Sequence, residues 1–111
     1  MTELTIKDLQ DYLFEKYRKG GTTTGFFMKL VEEVGEVAEA INHIDGRKLM
    51  AGDTSLEHEL VDVLHYTIAI AAINNIDLAK AILEKDEIAS IKYKQSPNLK
   101  EFIQVSNELT S

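Results

Sequence analysis

Phe26-Phe27-Met28-Lys29-Leu30-Val31-Glu32-Glu33-Val34-Gly35-Glu36-Val37-Ala38-Glu39-Ala40-Ile41 is the segment whose reading decides the fold. Phe26, Phe27, Leu30, Val34, Val37, Ile41 and Ile44 recur at steps of three and four, the spacing of one apolar stripe on an α-helix. That helix is expected from about Gly25 to His43, with the threonines at 22–24 as candidate N-caps and Asp45-Gly46 as its end. Glu33 and Glu36 are three apart and project from one side. At about 100° per residue, Glu33 falls at the edge of the stripe and Glu36 just beyond it.

Downstream, a loop is expected to Asp53, then Thr54 and Glu57 at capping-box spacing open a third helix to about Asn75. Its first half carries Glu59 and Asp62, again three apart, beside Leu60 and Val63, with Tyr66 one turn further on the same face. Residues 66–73 are apolar nearly all round, which places them at the centre of a bundle or in a subunit interface. Asp77 caps a fourth helix through about Lys94, and Ser96-Pro97 reads as the cap and first position of a short helix over 98–109. Upstream, Leu4, Ile6, Leu9, Leu13 and Phe14 suit a first helix with Thr5 and Asp8 as a capping pair and Gly20-Gly21 as its stop. No strand-like alternation, repeat or low-complexity tract occurs. The expectation is an all-α protein: a four-helix bundle over residues 1–95 and a helical tail over 96–111.

Composition narrows the function. A chain of 111 residues with 44% hydrophobic and 28% charged residues is an ordinary globular domain with little surplus core. Its net charge of −7 argues against nucleic acid or an anionic membrane as a direct partner, but not against a nucleotide whose phosphates are screened by cations. Cysteine is absent, which removes disulfides, thiolate metal sites and a Cys nucleophile. The N-terminus lacks an apolar stretch of signal-peptide length, and the apolar run over 63–73 is far shorter than the ~20 residues of a membrane span. A cytoplasmic location is expected.

Two antiparallel helices bearing these pairs would gather Glu33, Glu36, Glu59 and Asp62 at one point. Unneutralised, the cluster repels itself, and its hard oxygens suit Mg²⁺ or Mn²⁺. A single EExxE is most often the solvated face of a helix; the second pair, also set against an apolar stripe, is what raises the metal reading. Other candidates weigh less. The Gly20–Gly25 stretch lacks the GK[ST] ending of a triphosphate loop and reads better as a turn with N-caps. His58-Glu59-Leu60-Val61-Asp62 lacks the second His of a zinc helix. His65 reads as structural, and Tyr12, Tyr17 and Phe26 as core packing before a base pocket.

Residues 29–41 and Glu59-Leu60-Val61-Asp62-Val63-Leu64-His65-Tyr66 resemble, in order and spacing, the two signatures of the MazG-type all-α nucleotide pyrophosphohydrolases. Asn75-Ile76-Asp77-Leu78, Ala81 and Lys85 are similar to the start of that family's next helix, so the resemblance covers about residues 5–94. It implies that Glu33, Glu36, Glu59 and Asp62 are Mg²⁺ ligands, that Glu32 is an auxiliary carboxylate, that Tyr66 contacts the nucleotide and that Lys85 lies in the phosphate region. Ala89 departs from the Asn often found there, which bears on substrate contacts from the fourth helix.

The implied reaction cleaves a nucleoside triphosphate between the α- and β-phosphates. Glu32 or Glu33 is the candidate general base, Lys29 and Lys85 are candidate phosphate-side cations, and His43 is a candidate contact to the base. The resemblance also implies homodimers or homotetramers. Phosphoribosyl-ATP pyrophosphohydrolase shares the carboxylate pattern, but the wording of residues 35–41 favours the MazG side. A helical metal-binding or interaction module without turnover is the reading from a different class.

Overall fold

Each helix begins where a side chain takes up the N–H groups that its first turn leaves unpaired. The protein, a computed structural model, is described over residues 1–45 and 55–110. Helix α1 (Ile6–Tyr17) opens on a reciprocal capping box: Thr5 Oγ1 accepts from the Asp8 amide while the Asp8 carboxylate accepts from the Thr5 amide. Helix α2 (Thr23–Ile44) opens on Thr22, whose hydroxyl accepts from the Gly25 amide. Helix α3 (Leu56–Ile73) is capped by Ser55, not by the expected Thr54; the Ser55 hydroxyl accepts from the His58 amide. Thr54 and the expected loop over 46–53 lie outside the described residues.

Asp77 caps helix α4 (Leu78–Lys92), as expected. Helix α5 (Leu99–Thr110) begins later than Ser96-Pro97 implied. Asn98 and Glu101 satisfy each other's amides in a second capping box, which leaves Pro97, behind a cis peptide bond, outside the helix. Two helices end alike. Asn75 and Lys94 take left-handed backbone (φ 55° and 53°), and the Ile76 and Gln95 amides fold back to Ala71 and Ser90 carbonyls. This closure satisfies the last carbonyls of α3 and α4. Among the described residues there is no strand, so the chain is all-α.

The helices form two compact units, Met1–Ile76 and Asp77–Ser111. In the first, α3 packs against both α2 and α1. Its apolar half is central, as its composition required: Ile68, Ala69, Ala71 and Ala72 are buried with Leu13 of α1 and Phe26 and Ala40 of α2. Small alanines allow the neighbouring backbones to approach closely. Hydrogen bonds from Gln10 to the Ile76 carbonyl and from Asn74 to the Thr23 hydroxyl secure the C-terminal end of α3 to α1 and α2. In the second unit α4 packs on α5, and Asp86 accepts from the Leu99 amide at 2.7 Å. Among the described residues, no single helix is long and apolar enough to cross a membrane.

The inward side of α2 is turned from the expected stripe, of which Phe27, Val34, Ile41 and Ile44 are exposed. Phe26, Leu30, Glu33, Val37 and Ala40 are among the buried or half-buried positions, whereas Phe27, Val31, Val34 and Ile41 are 40–53% exposed. Apolar residues occupy two adjacent faces of this helix, and periodicity alone does not say which face meets α3. The consequence is chemical: Glu33 sits in the packed seam instead of at its edge.

Candidate functional site

The seam between α2 and α3 carries the carboxylates. Glu33 comes from the middle of α2, and Glu59 and Asp62 from the first two turns of α3; one oxygen from each lies within 4.8 Å of the other two. Glu33 and Glu59 are half-buried. The proton affinity of Glu33 is raised above the ordinary carboxylate value of 4.5. Burial is the main cause, followed by the charge of Asp62, a hydrogen bond shared with Glu59, and the charges of Glu59 and Glu36. Three acidic oxygens held this close without a countercharge form a site that gains by taking up a cation.

The donor set fits a small divalent ion. Mg²⁺ binds oxygen at 2.0–2.1 Å, so ligands across its octahedron stand about 4.2 Å apart at most. Of three ligands only one pair can stand opposite and neighbouring ones stand about 2.9 Å apart, so oxygens within 4.8 Å close by up to about 2 Å on loading, a reach that side-chain rotation covers. All donors are hard carboxylate oxygens, with no thiolate available in the chain to favour a softer metal.

The remaining expected site residues are placed less centrally. Glu36 is exposed and lies outside the trio, although its charge still acts on Glu33. Glu32 pairs with Lys29 at 3.3 Å, both side chains more than half exposed, a surface pair that contributes little to stability. His43 is exposed in the last turn of α2. Lys85 is an exposed side chain of α4, in the second unit.

Tyr66, the expected nucleotide contact, belongs to a cluster with Tyr17 and Phe26, read as core packing, and His65, read as structural. Tyr17 stacks on Phe26 with ring centroids 4.6 Å apart, Phe26 faces Tyr66 at 6.1 Å, and Tyr66 meets His65 at 4.9 Å. The Tyr17 hydroxyl and His65 Nε2 close the ring at 2.7 Å. His65, read as structural, is a partner of α1 one turn from Asp62. Burial, reinforced by Lys16 and opposed by Asp62, lowers its basicity below the usual 6.5. Which of the two donates is set by the imidazole tautomer, since a neutral Nε2 accepts from the hydroxyl when bare and donates to it when protonated.

Gly21 makes the cluster possible. A Cβ there would lie 2.5 Å from the Phe26 ring, so only glycine lets Phe26 reach Tyr17. Nothing in the local sequence foretells these contacts, since they join three helices; the one local signal was the spacing of His65 and Tyr66 from Asp62. A cavity of about 410 Å³ opens beside the capped start of α2, lined by Phe14, Arg18, Thr22 and Ile73 among others. It shares Tyr17 with the aromatic cluster and none of the carboxylates.

Known proteins of similar sequence and shape bear on this arrangement. Residues 22–89 match the MazG nucleotide pyrophosphohydrolase domain. The uncharacterized protein YpjD of Bacillus subtilis (strain 168) is 32% identical over 86 residues, which span 71% of this chain and 76% of that protein. The crystal structure of the Bacillus-conserved MazG protein, a nucleotide pyrophosphohydrolase, superimposes with a TM-score of 0.62 at 31% identity, covering 86% of this chain and 96% of that one. The iMazG structure from Vibrio DAT 722 gives 0.61 at 28% identity, covering 83% of this chain and all of that one. The segment matched to the domain carries the whole carboxylate trio, and the chain belongs to the MazG nucleotide pyrophosphohydrolase family.

Proposed function

We propose that this protein hydrolyses nucleoside or deoxynucleoside triphosphates between the α- and β-phosphates, releasing a monophosphate and pyrophosphate, with Mg²⁺ as its metal and Mn²⁺ as a substitute. The observation that carries this reading is the convergence of Glu33, Glu59 and Asp62 from two helices onto one point. These three hold the ion, and Glu36, one turn along α2, completes the acidic set. When bound, the ion supplies charge neutralisation for the triphosphate and a lowered pKa for a water.

The chain's own groups supply the rest. Glu33, whose proton affinity burial and the neighbouring carboxylates raise, binds the ion as a carboxylate, so metal competes with protons there and affinity falls as pH falls. Glu32 stands outside the trio, keeps its oxygens free of the ion and serves as the general base, with Lys29 beside it. Tyr66 borders the carboxylates on the aromatic side and offers a ring face to the substrate.

A second copy of the chain belongs in this reading. Val31 and Val34 of α2 and Leu60, Val61 and Leu64 of α3 flank the carboxylates and are 45–60% exposed. Exposed apolar side chains on both helices that carry the carboxylates suit a surface that a partner covers. A homodimer, alone or paired into a tetramer, covers it; a stable monomer in light scattering at micromolar concentration contradicts this part.

The test of the activity is a pyrophosphate-release screen over common and modified NTPs, dNTPs and phosphoribosyl-ATP, with Mg²⁺ and with Mn²⁺. Release from at least one triphosphate, abolished in Asp62→Ala, is expected. No release from any nucleotide with either metal overturns the proposal, and release from phosphoribosyl-ATP alone reassigns the substrate. Glu32→Gln should lower turnover without weakening metal binding, whereas Glu33→Gln should lose both.

A further inference from the structure

The metal-bearing half of α3 must be held at one rotational setting for its carboxylates to meet Glu33, and helix α1 supplies a restraint there. Taking Glu59 as the reference, at about 100° per residue Asp62 lies about 60° round the helix and His65 about 60° further in the same sense. Asp62 thus sits between the direction that faces α2 and the direction that faces α1. On the α2 side its neighbour is Glu33; on the α1 side, one turn on, His65 is bonded to Tyr17 at 2.7 Å.

The other α1–α3 contacts do not do this. Leu13 is fully buried, but apolar packing is non-directional. The Gln10 bond to the Ile76 carbonyl acts at the opposite end of α3. We infer that Tyr17 is a positioning residue: its hydrogen bond to His65 sets the roll of α3, and through it the place of Asp62 and Glu59 opposite Glu33.

The magnitude is adequate. A roll of 10° moves a carboxylate about 6 Å from the helix axis by about 1 Å. Ligand distances in metal sites are held within about 0.2 Å, and a misplacement of about 1 Å in a catalytic geometry costs up to about a hundredfold. Tyr17 lies outside the matched segment at 22–89. The hydroxyl, not the ring, is what the inference concerns, since the ring also stacks on Phe26. The inference rests on the metal-site reading above.

The experiment uses the full chain and reads Mn²⁺ affinity by calorimetry, kcat and KM separately, and Tm. Tyr17→Phe keeps the ring and removes the hydroxyl; it should weaken Mn²⁺ binding about tenfold or lower kcat by a similar factor. His65→Leu should match it, and the double variant should be no worse than either single one, because both break the same bond. His65→Gln, whose side-chain amide can accept from or donate to the Tyr17 hydroxyl, should recover most of the loss. A lower Tm with Mn²⁺ affinity and kcat unchanged overturns the inference and leaves the bond purely structural. Additive losses in the double variant overturn it as well. If wild type neither binds Mn²⁺ nor releases pyrophosphate, the metal-site reading falls and the positioning role with it; if wild type does both and Tyr17→Phe behaves identically, only the positioning role falls.

Discussion

Glu33→Gln should make the metal-free protein more stable while removing its response to metal. Each pair among three oxygens within 4.8 Å repels by about 0.9 kcal/mol in bulk water and about 3.5 kcal/mol at an effective dielectric of 20. Glu33 is only half-buried, so the lower part of that range applies. Replacing it by an isosteric neutral amide removes two of the three pairs, about 1–2 kcal/mol at pH 8. In a chain of this length, about 4 °C of Tm accompanies each kcal/mol, so the variant should melt about 4–8 °C higher in EDTA.

Magnesium should reverse the order. At a concentration one hundred times its dissociation constant, an ion stabilises the wild type by about 2.7 kcal/mol, and the variant, short of one ligand and one charge, should gain far less. Circular dichroism melts in EDTA and in a Mg²⁺ series decide the matter. A variant less stable than wild type in EDTA at pH 8 shows that Glu33 makes net favourable contacts as a carboxylate. An equal Mg²⁺ response in both proteins shows that the ion binds elsewhere. Either result refutes the reasoning.

Three further outcomes follow from the packing and the titrating groups. Leu13→Ala empties a fully buried position on α1 and should cost about 2–5 kcal/mol, read from the urea midpoint at constant m-value. Gly21→Ala drives a methyl into the Phe26 ring and should cost about 1–3 kcal/mol, with a changed near-ultraviolet signal from the Tyr17–Phe26–Tyr66 cluster. The two shifted groups pull stability in opposite directions with pH. His65 is lowered from 6.5, so its neutral form is favoured by folding and its contribution is lost as pH falls below that value; His65→Gln should flatten this acid limb. Glu33 is raised from 4.5, so folding favours its protonated form, and in EDTA its contribution is lost as pH rises above 4.5; Glu33→Gln should flatten that limb.

Local chemistry is legible in the chain itself. Thr5 with Asp8, Thr22 and Asp77 start helices because a short oxygen-bearing side chain beside a helical run satisfies amides within four residues, and that rule needs no tertiary contact. Two caps fall later than the sequence reading placed them: Ser55 caps α3 and Asn98 caps α5. The all-α class and the paired carboxylate spacing on α2 and α3 followed from periodicity, which fixes angular position about a helix axis.

What the sequence could not determine was the roll of one helix against another. α2 offers two adjacent apolar faces, and only its packing on α3 decided that Phe26, Leu30, Val37 and Ala40 turn inward. That choice drew Glu33 into the seam, joined it to Glu59 and Asp62, and left Glu36 exposed outside the trio. The Tyr17–His65 bond, between residues 48 apart in the chain, likewise exists only because α1 docks on α3. Side-chain spacing along a helix is set by covalent geometry and hydrogen bonding within one element; which side faces a neighbour is set by the total apolar area that several elements bury together, and no single segment encodes that sum.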